Sequence, residues 1–252
     1  MRICAIGDIH GDLDKIKKIP LSNVDLILLT GDLGKSDKAR NMAFNSKNYS
    51  AKEEQEVFEE TEESIFELIN YLSRFSPVYV IYGNVESTPH IPGRNKTFAD
   101  EINLTKRLVS NQNVRVINNR VANFKGIRIG GLKYFEDTNW VREFKPSNYK
   151  KRLNVAKKET DKVKKVLDWF NSLDILLCHQ PPYGILDKVT SKFVPKDWQG
   201  KHAGSKTILQ YIKTKSPKYV FCGHIHEGEG MKKVGETEVY NLGVGGYVIL
   251  DF

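Results

Sequence analysis

The chain has 252 residues, 40% of them hydrophobic, 10% aromatic and 28% charged, which is the composition of an ordinary globular protein and excludes disorder on a large scale. Its formal charge of +8 and pI near 9.2 keep anionic substrates and partners in scope. No apolar run approaches the roughly 18 residues of a membrane span, and MRICAIGD lacks the length and cleavage pattern of a signal peptide.

A single cytoplasmic domain spanning 1–252, without membrane association, is therefore expected. Cys4, Cys178 and Cys222 form no CxxC pair and sit inside apolar runs, so they read as buried free thiols. Short β-branched runs stopped by glycine or polar clusters read as buried strands. The first, residues 3–6, runs into GDIHG with Asp8 and His10, and the second, 26–29, into TGDL with Asp32. The next stretch, GKSDKARNMAFNSKNYSAK, is polar and poorly periodic and reads as a mobile loop. An acidic helix follows, with Phe58, Ile65, Leu68, Ile69 and Leu72 on one side and glutamates in its first half, as the helix dipole favours. Loop and helix together occupy about 35–75.

The third strand, 78–82, ends in YGNVE and presents Asn84. VRVINNRVANFKGIRIGGLKYF breaks at Asn118-Asn119 and Lys125-Gly126, the pattern of an antiparallel meander or hairpin. Between Arg142 and Asp168 ten lysines and arginines stand against four acids, so this segment carries most of the positive excess. It reads as a basic helix over about 146–173, with Leu153, Ala156, Thr160, Val163, Leu167 and Phe170 as one core-facing stripe and the lysines outward. Such a face is either simply solvated or attracts phosphate-bearing substrates or nucleic acid. Strand 175–178 then runs into CHQPP with His179, and strand 219–222 into CGHIH with His224 and His226. The closing MKKVGETEVYNLGVGGYVILDF breaks at Gly235 and Gly245-Gly246 and again reads as hairpins. Strands that alternate with helices in some parts and meander in others indicate an α/β protein with mixed sheets.

Seven oxygen or nitrogen donors thus stand at the carboxyl ends of five strands, the edge at which α/β sheets bind ligands. Asp-x-His and His-x-His on extended chain put both side chains on one face. Imidazoles mixed with carboxylate and amide oxygens, without cysteine, favour a first-row divalent ion. Seven donors exceed one tetrahedral shell but suit two ions roughly 3.5–4 Å apart that share a carboxylate.

GDIHG, GDL, GN, CHQPP and GHIH, in this order, resemble the metal-binding motifs of calcineurin-like metallophosphoesterases. HAGSKTILQYI before FCGHIHE is similar to the prokaryotic branch related to cyclic-nucleotide phosphodiesterases. The resemblance implies a four-layer α/β/β/α sandwich of two mixed β-sheets flanked by helices. It also implies that Asp8, His10 and His226 hold one divalent ion, that Asn84, His179 and His224 hold the other, and that Asp32 bridges them. Manganese is favoured, with iron, zinc or nickel as alternatives. The implied activity is a phosphoesterase, a phosphodiesterase before a monoesterase, in which a hydroxide bridging the ions attacks phosphorus in line. Its partner would be a small phosphoester substrate, with nucleic acid as an alternative.

Many members of that family carry histidine directly after the motif asparagine, as a transition-state stabiliser or general acid; here the position is Val85. General acid help typically contributes about 10² to 10⁴ in rate, so its loss favours good leaving groups or a substitute acid. His202, just before a helix start at Gly204-Ser205 whose free N–H groups would attract anions, is the candidate substitute and joins Asn84 and Asp32 as a catalytic residue. His90 reads as a loop residue, and Glu86 as a residue that orients a neighbour rather than a ligand. Asn241 reads as a turn residue, and Trp140 and Trp198 as part-buried anchors rather than stacking platforms. Arg94 alone near GNVE leaves no arginine pair for a phosphopeptide. Two other functions fit the pattern: a binding or scaffold module of the same fold that has lost catalysis at Val85, and a nuclease that uses the basic helix.

Overall fold

The apolar runs are strands buried along nearly their whole length, as their unbroken hydrophobic sequences require. The computed structural model describes residues 1–44, 49–87, 98–192 and 194–252. Its contacts divide the backbone into two units, Met1–Val116 with Val244–Phe252, and Ile117–Gly243.

The first unit opens with β1 (Arg2–Ile6), α1 (Leu13–Ile16) and β2 (Leu26–Leu29). It continues through α2 (Asp37–Phe44), α3 (Ala51–Leu72), β3 (Val78–Val80), α4 (Asn84–Ser87), α5 (Phe98–Val109) and β4 (Val114–Val116). Strands β1 to β4 lie side by side and parallel, with Ile3 opposite Leu26, Ile27 opposite Val78, and Val78 opposite Val114. Alternation along each strand puts Cys4, Ile6, Ile27, Leu29, Val78 and Val80 in one cluster with Ile16 of α1, Leu68 and Leu72 of α3, and Leu104 and Leu108 of α5. The acidic helix α3 starts well before its apolar stripe because a capping box fixes its first turn. Ser50 Oγ accepts the Glu53 N–H at 3.3 Å while the Glu53 carboxylate accepts the Ser50 N–H at 2.8 Å.

The stretch read as a loop contains α2. Ala39 and Met42 are the buried positions described on that helix, and they pack with Val57 of α3. Two apolar positions one turn apart are enough to dock eight residues on a neighbouring helix but too few to register as a period.

The second unit begins with β5 (Arg120–Phe124), β6 (Ile127–Leu132), α6 (Thr138–Phe144), α7 (Tyr149–Phe170) and β7 (Ile175–Cys178). It ends with α8 (Lys206–Lys215), β8 (Tyr219–Cys222), β9 (Gly230–Val234) and β10 (Thr237–Asn241). Its sheet order is β5-β6-β7-β8-β10-β9, parallel from β6 to β10 and antiparallel at both outer pairs. The basic helix is α7, and Ala156, Thr160, Val163, Leu167 and Phe170 are buried as its spacing requires. With Ile208, Tyr211 and Ile212 of α8 it covers Leu176, Cys178, Val220 and Cys222 of the sheet. Trp140 and Trp198 pack around Phe144, with ring centroids at 5.3 and 5.2 Å, and are anchors as expected.

After Gly243 the chain returns to the first unit and adds β11 (Tyr247–Asp251), antiparallel to β1 with Ile249 opposite Cys4. Each of the two stretches read as meanders or hairpins therefore holds one hairpin, as expected, and one strand that pairs elsewhere. β5–β6 and β9–β10 are hairpins, the first turning on Lys125 (φ 48°) and Gly126 (φ 92°), a pair of positive φ values that matches strand twist. β4 and β11 pair instead with β3 and β1 in the first unit's sheet. A two-residue turn forces its flanking strands together; the linkers after Val116 and before Tyr247 do not, and packing selects the partner.

The chain is thus an α/β protein with two mixed sheets flanked by helices. All three cysteines are buried and free, and burial pushes the Cys4 thiol up to about 12. Among the described residues no helix is long and apolar enough to cross a membrane.

Candidate metal centre

In the first unit, Asp8 and Asp32 stand just past β1 and β2, and Asn84 opens α4 just past β3. Asp8 is fully buried and accepts the Thr30 hydroxyl at 3.2 Å. His10 and Asp32 both have φ of 49°, a left-handed conformation uncommon for residues with a side chain. The two turns brace one another, the His10 N–H donating to Asp32 O at 2.9 Å and the Gly11 N–H to Leu33 O at 2.7 Å. Ser36 Oγ lies 3.0 Å from His10 Nδ1, so the ring turns its Nε2 the other way, 4.0 Å from Asp32 Oδ2. Two ligand atoms each about 2.1 Å from a common ion lie about 3.0–3.4 Å apart at octahedral or tetrahedral angles and at most about 4.2 Å, so one ion could reach both after a small closing movement. The other Asp32 oxygen, Oδ1, accepts the Val85 N–H at 2.7 Å.

The turn that carries Asn84 is locked to the turn that carries Asp32. Glu86 is fully buried and its carboxylate accepts three backbone N–H groups, from Asp32 at 2.9 Å, Leu33 at 2.8 Å and Gly83 at 2.9 Å. Glu86 thus orients its neighbours, as read from the sequence. The turns approach so closely that a Cβ on Gly31 (φ 99°) would lie 2.2 Å from Gly83 N. Val85 is 4% exposed, so its side chain is a packing group and its N–H holds Asp32.

In the second unit, His179 follows β7 and His224 follows β8, with φ of 68° at His224. Their ring centroids are 4.9 Å apart, and Tyr134 packs on both, at 5.9 Å from His179 and 5.6 Å from His224. The Gly223 N–H donates to His179 O at 2.9 Å and couples the two strand ends. His226 begins a single 3-10 turn, His226–Gly228. Gln180 is fixed by a two-way amide bond with the Phe135 backbone, at 2.6 and 3.3 Å, which holds the loop behind His179.

His202 lies where the sequence placed it, three residues ahead of the α8 N-cap, but that helix end is not open. Ser205 Oγ accepts the Ile208 N–H at 3.3 Å and donates to Asp137 Oδ2 at 2.6 Å. Burial raises the Asp137 pKa against the lowering effect of the Ser205 and Asn139 bonds. The ring of His202 is held instead by Asp187, Nδ1 to Oδ1 at 2.7 Å. Asn241 is a fastening residue, its Nδ2 donating to Leu186 O at 2.9 Å and Ile225 O at 2.8 Å. His90 and Arg94 lie outside the described residues.

The first unit therefore offers carboxylate, amide and imidazole donors, and the second offers three imidazoles. Three of the seven are held at positive φ by backbone bonds, and no thiol stands among them, which fits first-row divalent ions. Thr30, Ser36, Tyr134 and Asp187 escaped the sequence reading. Ser36, Tyr134 and Asp187 lie outside the glycine-stopped strand ends that marked the ligands, and Thr30, although part of TGDL, carries no local sign that its hydroxyl reaches Asp8.

The calcineurin-like phosphoesterase family model matches residues 1–228. An uncharacterized protein of Methanocaldococcus jannaschii is 27% identical over 253 aligned residues, which cover 100% of this chain and 92% of that protein. One crystal structure superposes with a TM-score of 0.63 at 18% identity, covering 99% of this chain and 94% of its own. The phosphopantetheinyl hydrolase of Mycobacterium tuberculosis gives 0.57 at 15% identity, covering 96% of this chain and 89% of its own. At these identities the two structures share the fold.

Proposed function

The chain belongs to the calcineurin-like phosphoesterase family, and from that premise we propose that it is a phosphodiesterase with a dinuclear manganese centre. Asp8, His10 and His226 would hold one ion, Asn84, His179 and His224 the other, and Asp32 would serve both. When bound, the ions supply Lewis-acid stabilisation of phosphoryl charge and lower the pKa of a water. The chain's own residues do the positioning. Ser36 on His10 Nδ1 directs Nε2 to metal, the Val85 N–H fixes one Asp32 oxygen, and Glu86 holds the Asp32 and Asn84 turns at a set separation.

The observation that carries this reading is the left-handed backbone at His10, Asp32 and His224. Positive φ at residues with side chains costs about 1–3 kcal/mol each. Eight other residues with side chains share that backbone, among them Asn119, Lys125 and Ser216, so the weight lies on its coincidence with three donor residues just past β1, β2 and β8. The preference for a diester is supported by the likeness of HAGSKTILQYI to the cyclic-nucleotide branch.

Metal-stripped protein, with and without added Mn(II), should be assayed on bis(p-nitrophenyl) phosphate and p-nitrophenyl phosphate, with Asp32→Asn as control. Diester turnover that needs metal and vanishes in the variant supports the reading. Faster turnover of the monoester overturns the diester preference, and inertness toward both leaves the fold as a binding module.

One observation favours a nucleic-acid diester as the substrate. Trp169 of α7 is 67% exposed beside Lys165, on the face that also carries Lys158 and Lys162, a combination suited to stacking a base and holding phosphates. Affinity for a single-stranded oligonucleotide should then fall steeply with salt and weaken in Trp169→Ala; flat affinity across a salt series removes this version.

A further inference from the structure

We propose that His202 is the proton donor to the leaving oxygen, in place of the histidine absent at Val85, and that Asp187 is the residue that positions it. This rests on the phosphoester-hydrolase reading above. Asp187 is 1% exposed and all its hydrogen-bond capacity faces inward. Oδ1 lies 2.7 Å from His202 Nδ1, and Oδ2 accepts the N–H groups of Gly184 and Gly204, both at 2.9 Å. A carboxylate only accepts, so Nδ1 carries the proton and Nε2 becomes the working atom. The His202 side chain is 41% exposed, so a buried, firmly held carboxylate backs an imidazole with an open edge.

The segment that carries Asp187 is fastened on both sides to ligand-bearing loops. Pro182, three residues after His179, bridges to Ser205, with the Ser205 N–H donating to Pro181 O at 2.9 Å and the Tyr183 N–H to Ser205 O at 3.0 Å. On the other side, Asn241 ties Leu186 to Ile225, the residue between His224 and His226. His202 itself bridges to Lys188. The proposed acid therefore rides on the frame that holds three metal-ligand candidates of its unit. Among the described residues, the Tyr183 ring lies at a centroid distance of 5.5 Å from the His202 ring, and the Lys206 ammonium lies 4.6 Å from the centre of the Tyr183 ring. Neither competes with Asp187 for Nδ1.

In the step, a hydroxide derived from water forms a bond to phosphorus as the bond from phosphorus to the leaving oxygen breaks. The Nε2 proton passes to that oxygen, which departs as an alcohol. Neutral imidazole remains with its Nδ1 proton on Asp187 and is reprotonated from solvent, so the sum is diester plus water giving monoester plus alcohol.

The test compares two diesters that differ only in leaving group, p-nitrophenolate and a simple alkoxide, in wild type, His202→Gln and Asp187→Asn loaded with Mn(II). Nitrophenolate needs no proton and an alkoxide does. Expected are losses of about 10² or more in kcat on the alkyl ester for His202→Gln and of about 10-fold or more for Asp187→Asn. In both variants the loss on the nitrophenyl ester should be several-fold smaller than the loss on the alkyl ester. Ring ¹⁵N shifts of metal-free protein should show His202 as a single Nδ1–H tautomer in wild type and a tautomer mixture in Asp187→Asn. Equal losses on both esters, no loss on the alkyl ester, or an unchanged tautomer in Asp187→Asn overturns the proposal while the phosphodiesterase reading stands. Wild type inert toward both esters removes that reading and the role of His202 with it.

Discussion

The buried carboxylate of Glu86 accepts the backbone N–H of Asp32 at 2.9 Å, so the residue two places after Asn84 fixes the turn of a proposed ligand from another strand. Its other bonds, to Leu33 and Gly83, close the link. Replacing Glu86 with alanine strands three buried N–H groups, each costing about 1–3 kcal/mol. Urea unfolding of Glu86→Ala should show a loss of about 3 kcal/mol or more, with Glu86→Gln intermediate because one amide NH₂ then faces a donor. Stability of both variants within 0.5 kcal/mol of wild type, the range of an ordinary surface change, would refute this structural role.

Gly31 tests the same junction by size. A methyl group there would meet Gly83 N at 2.2 Å and Gly83 Cα at 2.7 Å, backbone atoms that cannot rotate away. Gly126 also has a positive φ, 92°, but nothing lies within 4 Å of its would-be Cβ. Gly126→Ala should therefore cost only the left-handed strain, about 1–2 kcal/mol, and Gly31→Ala at least about twice that. Equal costs by denaturant unfolding would mean that the close approach of the two turns is wrong.

Ser36 orients His10 through Nδ1 without touching the proposed metal position. Removing such an outer partner typically lowers metal affinity about 10- to 100-fold. Ser36→Ala should weaken Mn(II) binding by that factor in a competition titration while leaving the melting temperature nearly unchanged. Unaltered affinity would show that the hydroxyl is incidental.

Asp137 supplies a pH signature. Burial raises its folded-state pKa, with the Ser205 hydroxyl and Asn139 N–H opposing. The folded chain then retains a proton that the unfolded chain releases, so this residue's contribution to stability falls as pH rises from the ordinary carboxylate value through the folded one. The slope is at most about 1.4 kcal/mol per pH unit. Relative to Asp137→Asn, wild type should lose stability across that window in paired urea melts at stepped pH; a difference independent of pH would contradict the raised value.

Where the sequence was legible, period and chemistry agreed. Leu167 and Phe170 announce α7 because long amphipathic helices repeat, and Asp8, Asp32 and His179 announce themselves by ending apolar runs on the polar side. The partners of β4 and β11 were not legible, since nothing local in Val114 or Tyr247 records which sheet the strand will join. Helix α2 was hidden because Ala39 and Met42 are too few to make a period. Asp187 was hidden for another reason: fifteen residues separate it from His202, and a single aspartate in GILDK carries no signal until the fold closes the gap.

The central claim is a centre of two divalent ions, and metal content tests it most directly. Apo protein reconstituted with Mn(II), passed through a desalting column and measured by plasma emission should retain about two ions per chain, falling to about one or fewer in Asp32→Asn and His179→Ala. Wild type that retains none, or variants that retain as much as wild type, would contradict it.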